Sequence, residues 1–380
     1  MHLFGRPLLD MLFIGCAVAC SPYRTSSNPK VHQFKGSQSR EESVSTPVQT
    51  MPSADLFFET AFAYQRSAAL KTAIDLDLFT AIGDAPSSVD QLATRCKAAP
   101  RGIRILCHYL TTLGFLDKRG EAFALTPVSA AYLSKGSPAY LGGTLEFLSS
   151  GEVVRNFDHL TDTTRRGTIP PSANNTVSEE NPMWVTFAQA MLPMMMPNAL
   201  AIADTLNPTG KMRVLDIAAG HGIFGIVLAQ RNLEAEIVAV DWPSVLEVAT
   251  ANATRFGVRE RYRTLAGDAF GVDFGTGFDV ALITNFLHHF DVPTNVEFLR
   301  KVAAALKPGG RVVILEFAPN ADKVSPAFAA QFGLTMLAGT PGGDAYSLDE
   351  LEHMLTGAGF SRVSTHPTPT PQRVIVGTKG

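Results

Sequence analysis

The chain has 380 residues, 46% of them hydrophobic and 18% charged, which is ordinary globular composition and enough for two cores. Lys and Arg number 32 against 35 Asp and Glu, so the formal charge of −3 argues against a nucleic-acid or other polyanionic partner. Four cysteines, Cys16, Cys20, Cys96 and Cys107, show no metal-ligand spacing, and so few point to a reducing, cytoplasmic setting without a disulfide framework or metal site.

The stretch "LLDMLFIGCAVAC" (8–20) is a short apolar run interrupted by Asp10, with Arg6 ahead of it and cysteines placed as in a loose lipoprotein cleavage box. It is too short to span a bilayer, and no membrane role is expected. Residues 21–52 are rich in Ser, Thr, Pro, Gln and Lys and read as disordered. Because Met51 directly precedes a helical pattern, residues 1–52 are expected to be a disordered extension or a stretch upstream of the true start, in preference to an export signal.

Residues 53–166 read as a helical domain. Leu56, Phe57, Ala61, Tyr64, Ala68, Ile74 and Leu78 recur at helical spacing over 53–83. "SSVDQLATRCKAA" opens with a Ser-x-x-Asp cap pattern, and "PRGIRILCHYLTTLG" begins with Pro100 and stops at Gly114. "FLDKRGEAFALTP" alternates like a hairpin turning at Arg119-Gly120. Helix, helix, hairpin is a winged-helix order. Over residues 53–150 nine basic residues face nine acidic ones, so DNA binding is not expected and a packing or dimerisation role is preferred.

Residues 167–206 form a linker followed by a Met-rich helical stretch, "MWVTFAQAMLPMMMPNALAIADTL", interrupted by Pro193 and Pro197. Met stripes are commonly core filler, but a proline-broken helix also lines pockets; Phe187, Met191, Met194 and Met195 are the candidate acceptor-pocket residues. From residue 207 to 380 strands alternate with helices: "RVLDI", "AEIVAVD", "YRTLAGD", "FDVALIT" and "RVVILEF". This is an α/β, Rossmann-like, doubly wound sheet. The last two strands, "FSRVSTH" and "QRVIVGT", are joined only by "PTPTP", too short for a crossover helix, so they must be antiparallel.

The turn after the first of these strands, "VLDIAAGHGIFG" (214–225), contains Gly220, Gly222 and Gly225 in a G-x-G-x-x-G pattern. Loop amides and a helix N-terminus there favour a negative group, and Asp241, ending the next strand, suits a ribose hydroxyl. Both features fit a nicotinamide dinucleotide or S-adenosylmethionine. Asp216 discriminates: a carboxylate beside the loop repels a pyrophosphate but attracts the ammonium of an aminoacyl tail. It is alternatively a turn cap holding loop amides. The cofactor role is preferred, because Asp241 and Asp268 end the next two strands on the same rim.

"VLDIAAGHG", the antiparallel final strand and the order of parts from 53 to 380 together resemble the class I S-adenosylmethionine-dependent O-methyltransferases of plant and bacterial small-molecule metabolism. These join a winged-helix-like dimerisation domain to a catalytic domain, so the resemblance implies a homodimer. It implies that Asp216, Ala218 and Gly220 contact the methionine part, that Asp241 takes the ribose with Trp242 beside the adenine, that Asp268 and Ala269 reach the adenine edge, and that Asn285 lies near the methionine end. Ala218 departs from the family's usual glycine. His221, inside the loop, is read as cofactor-side or solvent-facing.

Histidine is suited to take a hydroxyl proton at neutral pH. "NFLHHFD" (285–291) follows the fourth strand, where this sheet type binds ligands. The family motif Leu-His-Asp-Trp maps onto Leu287-His288-His289-Phe290, making His288 the implied general base and Glu316 the residue orienting it. His289, in place of the aspartate, is a pocket candidate. A second family acid falls at Ala345, with Asp344 adjacent as a possible substitute. The expected activity is O-methylation of a small, aromatic or polyketide-like hydroxyl compound. The alternatives are C- or N-methylation on the same fold, a nicotinamide-dependent oxidoreductase, and a cofactor-sensing transcriptional regulator.

Overall fold

The computed structural model describes residues 52–171, 175–177 and 181–380. The apolar segment 8–20 and the expected extension, Pro52 apart, lie outside the described residues. The described chain divides into two units between Gln65 and Arg66. In the first, helix Asp55–Ala61 buries none of its residues. Leu56, Phe57 and Phe58 are 76%, 68% and 51% exposed. Across 53–83 the apolar spacing predicts one helix, but the chain breaks it into Asp55–Ala61, Ala63–Asp75 and Leu78–Ile82. Asp77, in the left-handed region at φ 53°, makes the second break.

The second unit contains a small sheet of β1 (Ser87–Ser88), β2 (Leu116–Arg119) and β3 (Ala122–Leu125), in the order β1-β3-β2. Helices Val89–Arg95 and Pro100–Thr112 pack on it. Their apolar faces bury Leu92, Ile103, Cys107 and Leu110 with Phe79 and Phe123 in a local core. The helix cap is Ser88, not the expected Ser87-to-Asp90 pair: Ser88 and Gln91 form a reciprocal capping box. Helix Met183–Ala190 then meets helix Leu192–Leu206 at 68°, with Pro193 in the first turn of the latter, where its missing N–H costs no hydrogen bond. Among the described residues no single helix is long and apolar enough to cross a membrane.

The large sheet contains β4 (Met212–Ile217), β5 (Ala235–Asp241), β6 (Tyr262–Ala266), β7 (Phe278–Thr284), β8 (Leu306–Glu316), β9 (Phe360–Pro367) and β10 (Arg373–Lys379). Its order is β6-β5-β4-β7-β8-β10-β9. The first five strands pair in parallel, and β10 pairs antiparallel with both β8 and β9. Residues 214–217 of β4, 280–284 of β7 and 312–316 of β8 are continuously buried because helices cover both faces. Two buried clusters result, one on each side of the sheet. The order reverses between β4 and β7. The carboxyl ends of those strands carry the residues considered next.

Candidate active site

The turn after β4 is built on left-handed backbone: Ala218, Gly220 and Gly222 have φ of 52°, 55° and 74°. Alanine at 218 therefore occupies a conformation that favours glycine. Helix Ile223–Arg231 starts at Gly222 and lies close on the sheet. A Cβ on Gly225 would stand 2.7 Å from both Asp216 Oδ2 and Ile237 Cγ2, so even a methyl there forces one of those side chains to shift. Gly222 faces away from the cavity, toward the Tyr262 hydroxyl.

Asp216 differs from expectation. Its carboxyl is fully buried beneath the loop, not on the cavity wall, and Oδ2 accepts the Gly225 amide at 3.1 Å. Burial pushes the group up to about 8, with the Gly225 amide opposing and Asp241 reinforcing the rise. In this arrangement the group caps the Gly225 amide through Oδ2, while Oδ1 is buried without a hydrogen-bond partner among the described residues.

Asp241 takes the rim position. From the end of β5 its Oδ2 accepts the Gly220 amide at 2.8 Å and its Oδ1 the Trp242 amide at 2.7 Å. Burial raises it to about 6 against those two hydrogen bonds, leaving it largely ionised at neutral pH. Asp241, Trp242, Asp268, Ala269, Ala218, Gly220 and Asn285 all line one cavity of about 800 Å³. His221 lines it too, buried and not solvent-facing. Its Nδ1 accepts the Ile223 amide at 3.2 Å, its ring stacks on Phe187, and burial lowers it to about 3, so it stays neutral.

Across the cavity, Asn285 begins the segment after β7 and donates to Met195 Sδ at 3.7 Å, while its Oδ1 accepts from Gln372. His288 and Glu316 are 5% and 3% exposed, and His288 Nδ1 meets Glu316 Oε2 at 2.6 Å. Glu316 Oε1 accepts the Phe286 and His288 amides at 3.2 and 3.4 Å, so one carboxylate fixes both the ring and its backbone. The Phe332 ring stands edge-on to His288 at 4.8 Å. Backbone at Gly343 passes so near the His288 carbonyl that a Cβ would lie 2.1 Å from it. His289 points its Nδ1 at Thr176 Oγ1, 3.1 Å away, with Trp184 edge-on at 5.3 Å.

Asp344 does not substitute for the missing acid. It is exposed, outside the cavity, and its Oδ1 accepts the Ala345 amide at 2.7 Å. The expected pocket residues Phe187, Met191, Met194 and Met195 are all on the wall. Sequence reasoning missed Thr176 and Trp184, and it missed helix Ala327–Gly339, whose Phe328, Phe332 and Met336 line the cavity from one face. Their spacing of four was the available signal. Among the described residues no cluster of His, Cys, Asp and Glu is suited to hold a metal ion.

Two family profiles match the chain: an O-methyltransferase dimerisation domain over residues 58–135 and a methyltransferase domain over 214–310. A crystal structure assigned as an O-methyltransferase from Nostoc punctiforme is 48% identical, covering 87% of this chain and 100% of that one, with a TM-score of 0.84. The 3-hydroxy-5-methyl-1-naphthoate 3-O-methyltransferase of Streptomyces sahachiroi is 29% identical over 335 residues, 85% of this chain and 95% of its own. Human N-acetylserotonin methyltransferase, solved with S-adenosylmethionine, shares the fold at 20% identity, covering 88% of this chain and 100% of its own, with a TM-score of 0.75. With the glycine turn, the reversed strand order and the antiparallel β10 already in place, these matches identify the chain as a member of the S-adenosylmethionine-dependent O-methyltransferases that carry an N-terminal dimerisation domain.

Proposed function

We propose that this enzyme methylates a hydroxyl on a flat aromatic or polyketide-like acceptor, with His288 as general base and Glu316 as its positioning residue. The buried 2.6 Å contact between His288 Nδ1 and Glu316 Oε2, at the wall of the cofactor cavity, carries the reading. A carboxylate offers only lone pairs, so Nδ1 keeps the proton and Nε2 is the bare, basic nitrogen.

The residues present fit the cofactor. Asp241 keeps spare lone pairs for a ribose diol, Trp242 offers a face for the adenine, and the left-handed turn at Gly220 lets backbone approach the aminoacyl end. S-adenosylmethionine, when bound there, supplies a methyl group on a sulfonium leaving group. The chain's own part is orientation and proton removal. Phe187, Met191, Met194 and Met195 present an apolar surface to a ring, and Asn285 is held against Met195 by Gln372. With the cofactor in place, His288 Nε2 would take the proton of the acceptor hydroxyl as that oxygen receives the methyl group. Glu316 stabilises the resulting imidazolium, whose proton then returns to solvent.

Assembly as a homodimer through the N-terminal domain is part of the same reading, supported by the exposed Leu56, Phe57 and Phe58. So is a cytoplasmic setting, supported by the free thiols of Cys96 and Cys107. The test is to incubate the protein with methyl-labelled cofactor and a panel of phenols, aromatic amines and activated carbon acids. Label on phenolic oxygen is expected, whereas label confined to nitrogen or carbon would overturn the reading.

A further inference from the structure

Two imidazoles stand side by side on the cavity wall with different partners. The rings of His288 and His289 lie 4.3 Å apart, centroid to centroid. His288 Nδ1 faces Glu316, which can only accept. His289 Nδ1 faces Thr176 Oγ1 at 3.1 Å. Thr176 is itself fixed: its amide donates to the Gly339 carbonyl at 3.1 Å, and its carbonyl accepts Trp184 Nε1 at 3.0 Å. A buried hydroxyl proton needs an acceptor, and among the described residues His289 Nδ1 is the one in hydrogen-bond contact with it. Glu316 therefore leaves His288 Nε2 bare, while Thr176 leaves the ring proton of His289 on Nε2.

Among the described residues neither Nε2 has a hydrogen-bond partner, and neither is among the buried polar atoms sealed from the cavity that both rings line. Burial, together with the neighbouring His288, holds His289 well below the usual histidine range. It therefore remains a neutral donor while His288 accepts a proton. One wall thus offers a bare nitrogen beside an N–H.

We infer that His289 determines acceptor specificity by donating its Nε2–H to a second oxygen on the acceptor, ortho or peri to the hydroxyl that His288 deprotonates. The inference rests on the proposed methyl transfer and narrows its acceptor class to aromatics with two adjacent oxygens: vicinal or peri diols, or a hydroxyl beside a carbonyl.

The test compares isomers that differ only in where the second oxygen sits: catechol against hydroquinone, and peri-dihydroxynaphthalene against an isomer with remote hydroxyls. Dissociation constants are measured by calorimetry with S-adenosylhomocysteine present, and kcat/KM with the methyl donor. The native protein is expected to favour the adjacent isomer about five- to tenfold, the worth of one neutral hydrogen bond. His289→Phe brings that ratio close to one. Thr176→Val, which keeps the ring but frees its tautomer, gives an intermediate ratio. Ratios cancel any general loss of activity, and retained S-adenosylhomocysteine binding checks the fold. A native ratio near one, a ratio that survives His289→Phe, or no binding of either adjacent isomer overturns the inference. Binding of the isomers without methylation of any instead defeats the methyl-transfer reading, while the binding ratio still decides the role of His289.

Discussion

The two walls of the cavity are made differently. The cofactor wall is backbone: a left-handed turn, amides held by Asp216 and Asp241, and a helix brought close by Gly225. The facing wall, which we propose takes the acceptor, is side chains from distant parts of the sequence: Thr176, Phe187 and the methionines, His288 and His289, and Phe332. A backbone wall is set by a short local motif and tolerates little change. A side-chain wall can be rebuilt one residue at a time without disturbing the fold. Cofactor recognition and acceptor choice are therefore separable, and substitutions on each wall should affect different measurements.

The largest effect is expected from His288→Ala, which should lower kcat by about 10²–10⁴-fold, the usual worth of a general base. S-adenosylhomocysteine affinity should stay as it was, and a loss of affinity equal to the loss of kcat would show the walls to be coupled. Asp241→Asn should do the reverse, weakening S-adenosylhomocysteine binding by about 10–100-fold through loss of a charged hydrogen-bond acceptor worth about 1.5–3 kcal/mol. Calorimetry reads this directly. Gly225→Ala probes the tight seat of the helix: its Cβ, 2.7 Å from Asp216 Oδ2 and Ile237, should cost about 1–3 kcal/mol in denaturant unfolding.

Acidity sharpens the contrast further. Burial raises Asp216 to about 8, so the folded protein keeps a proton there that the unfolded chain releases near the ordinary carboxylate value. Its contribution is fully present below that ordinary value and is lost as pH rises through the folded one. His221, lowered to about 3, and Asp241, raised to about 6, have completed their changes by neutrality. Between about pH 7 and pH 8, stability of the cofactor-free protein should therefore fall by up to about 1.4 kcal/mol per pH unit, and Asp216→Asn should flatten that slope. The smallest effect is expected at Ala218: relief of its left-handed strain by glycine is offset by glycine's greater chain entropy, so Ala218→Gly should change stability by under about 1 kcal/mol.

Sequence made the backbone wall readable because its information is local. Strand ends, glycine spacing and Asp241 all fall within about one βαβ unit. It also pointed to His288, Glu316 and the methionines, since each sits next to a strand or a proline break. What it could not give was depth. Asp216 and Asp241 both end strands, yet one lies under the turn and the other on its rim, a difference made by how closely helix Ile223–Arg231 packs at Gly225. Depth also separates the two alternatives for the second acid, since the turn containing Gly343 brings backbone to His288 while Asp344 stays exposed outside the cavity. Thr176 reaches His289 across 113 positions of sequence, a contact no periodicity encodes.

Strand β10 sits between β8 and β9, although it follows both in the chain. A nascent polypeptide emerging from the ribosome up to residue 367 thus carries both neighbours with the slot between them unfilled. Until Arg373–Lys379 slides in, two hydrogen-bonding edges stand open to any passing strand, and Gln372 cannot steady Asn285. The sheet, and with it the seat of Asn285, therefore closes only when a strand that follows both of its neighbours in the chain docks between them.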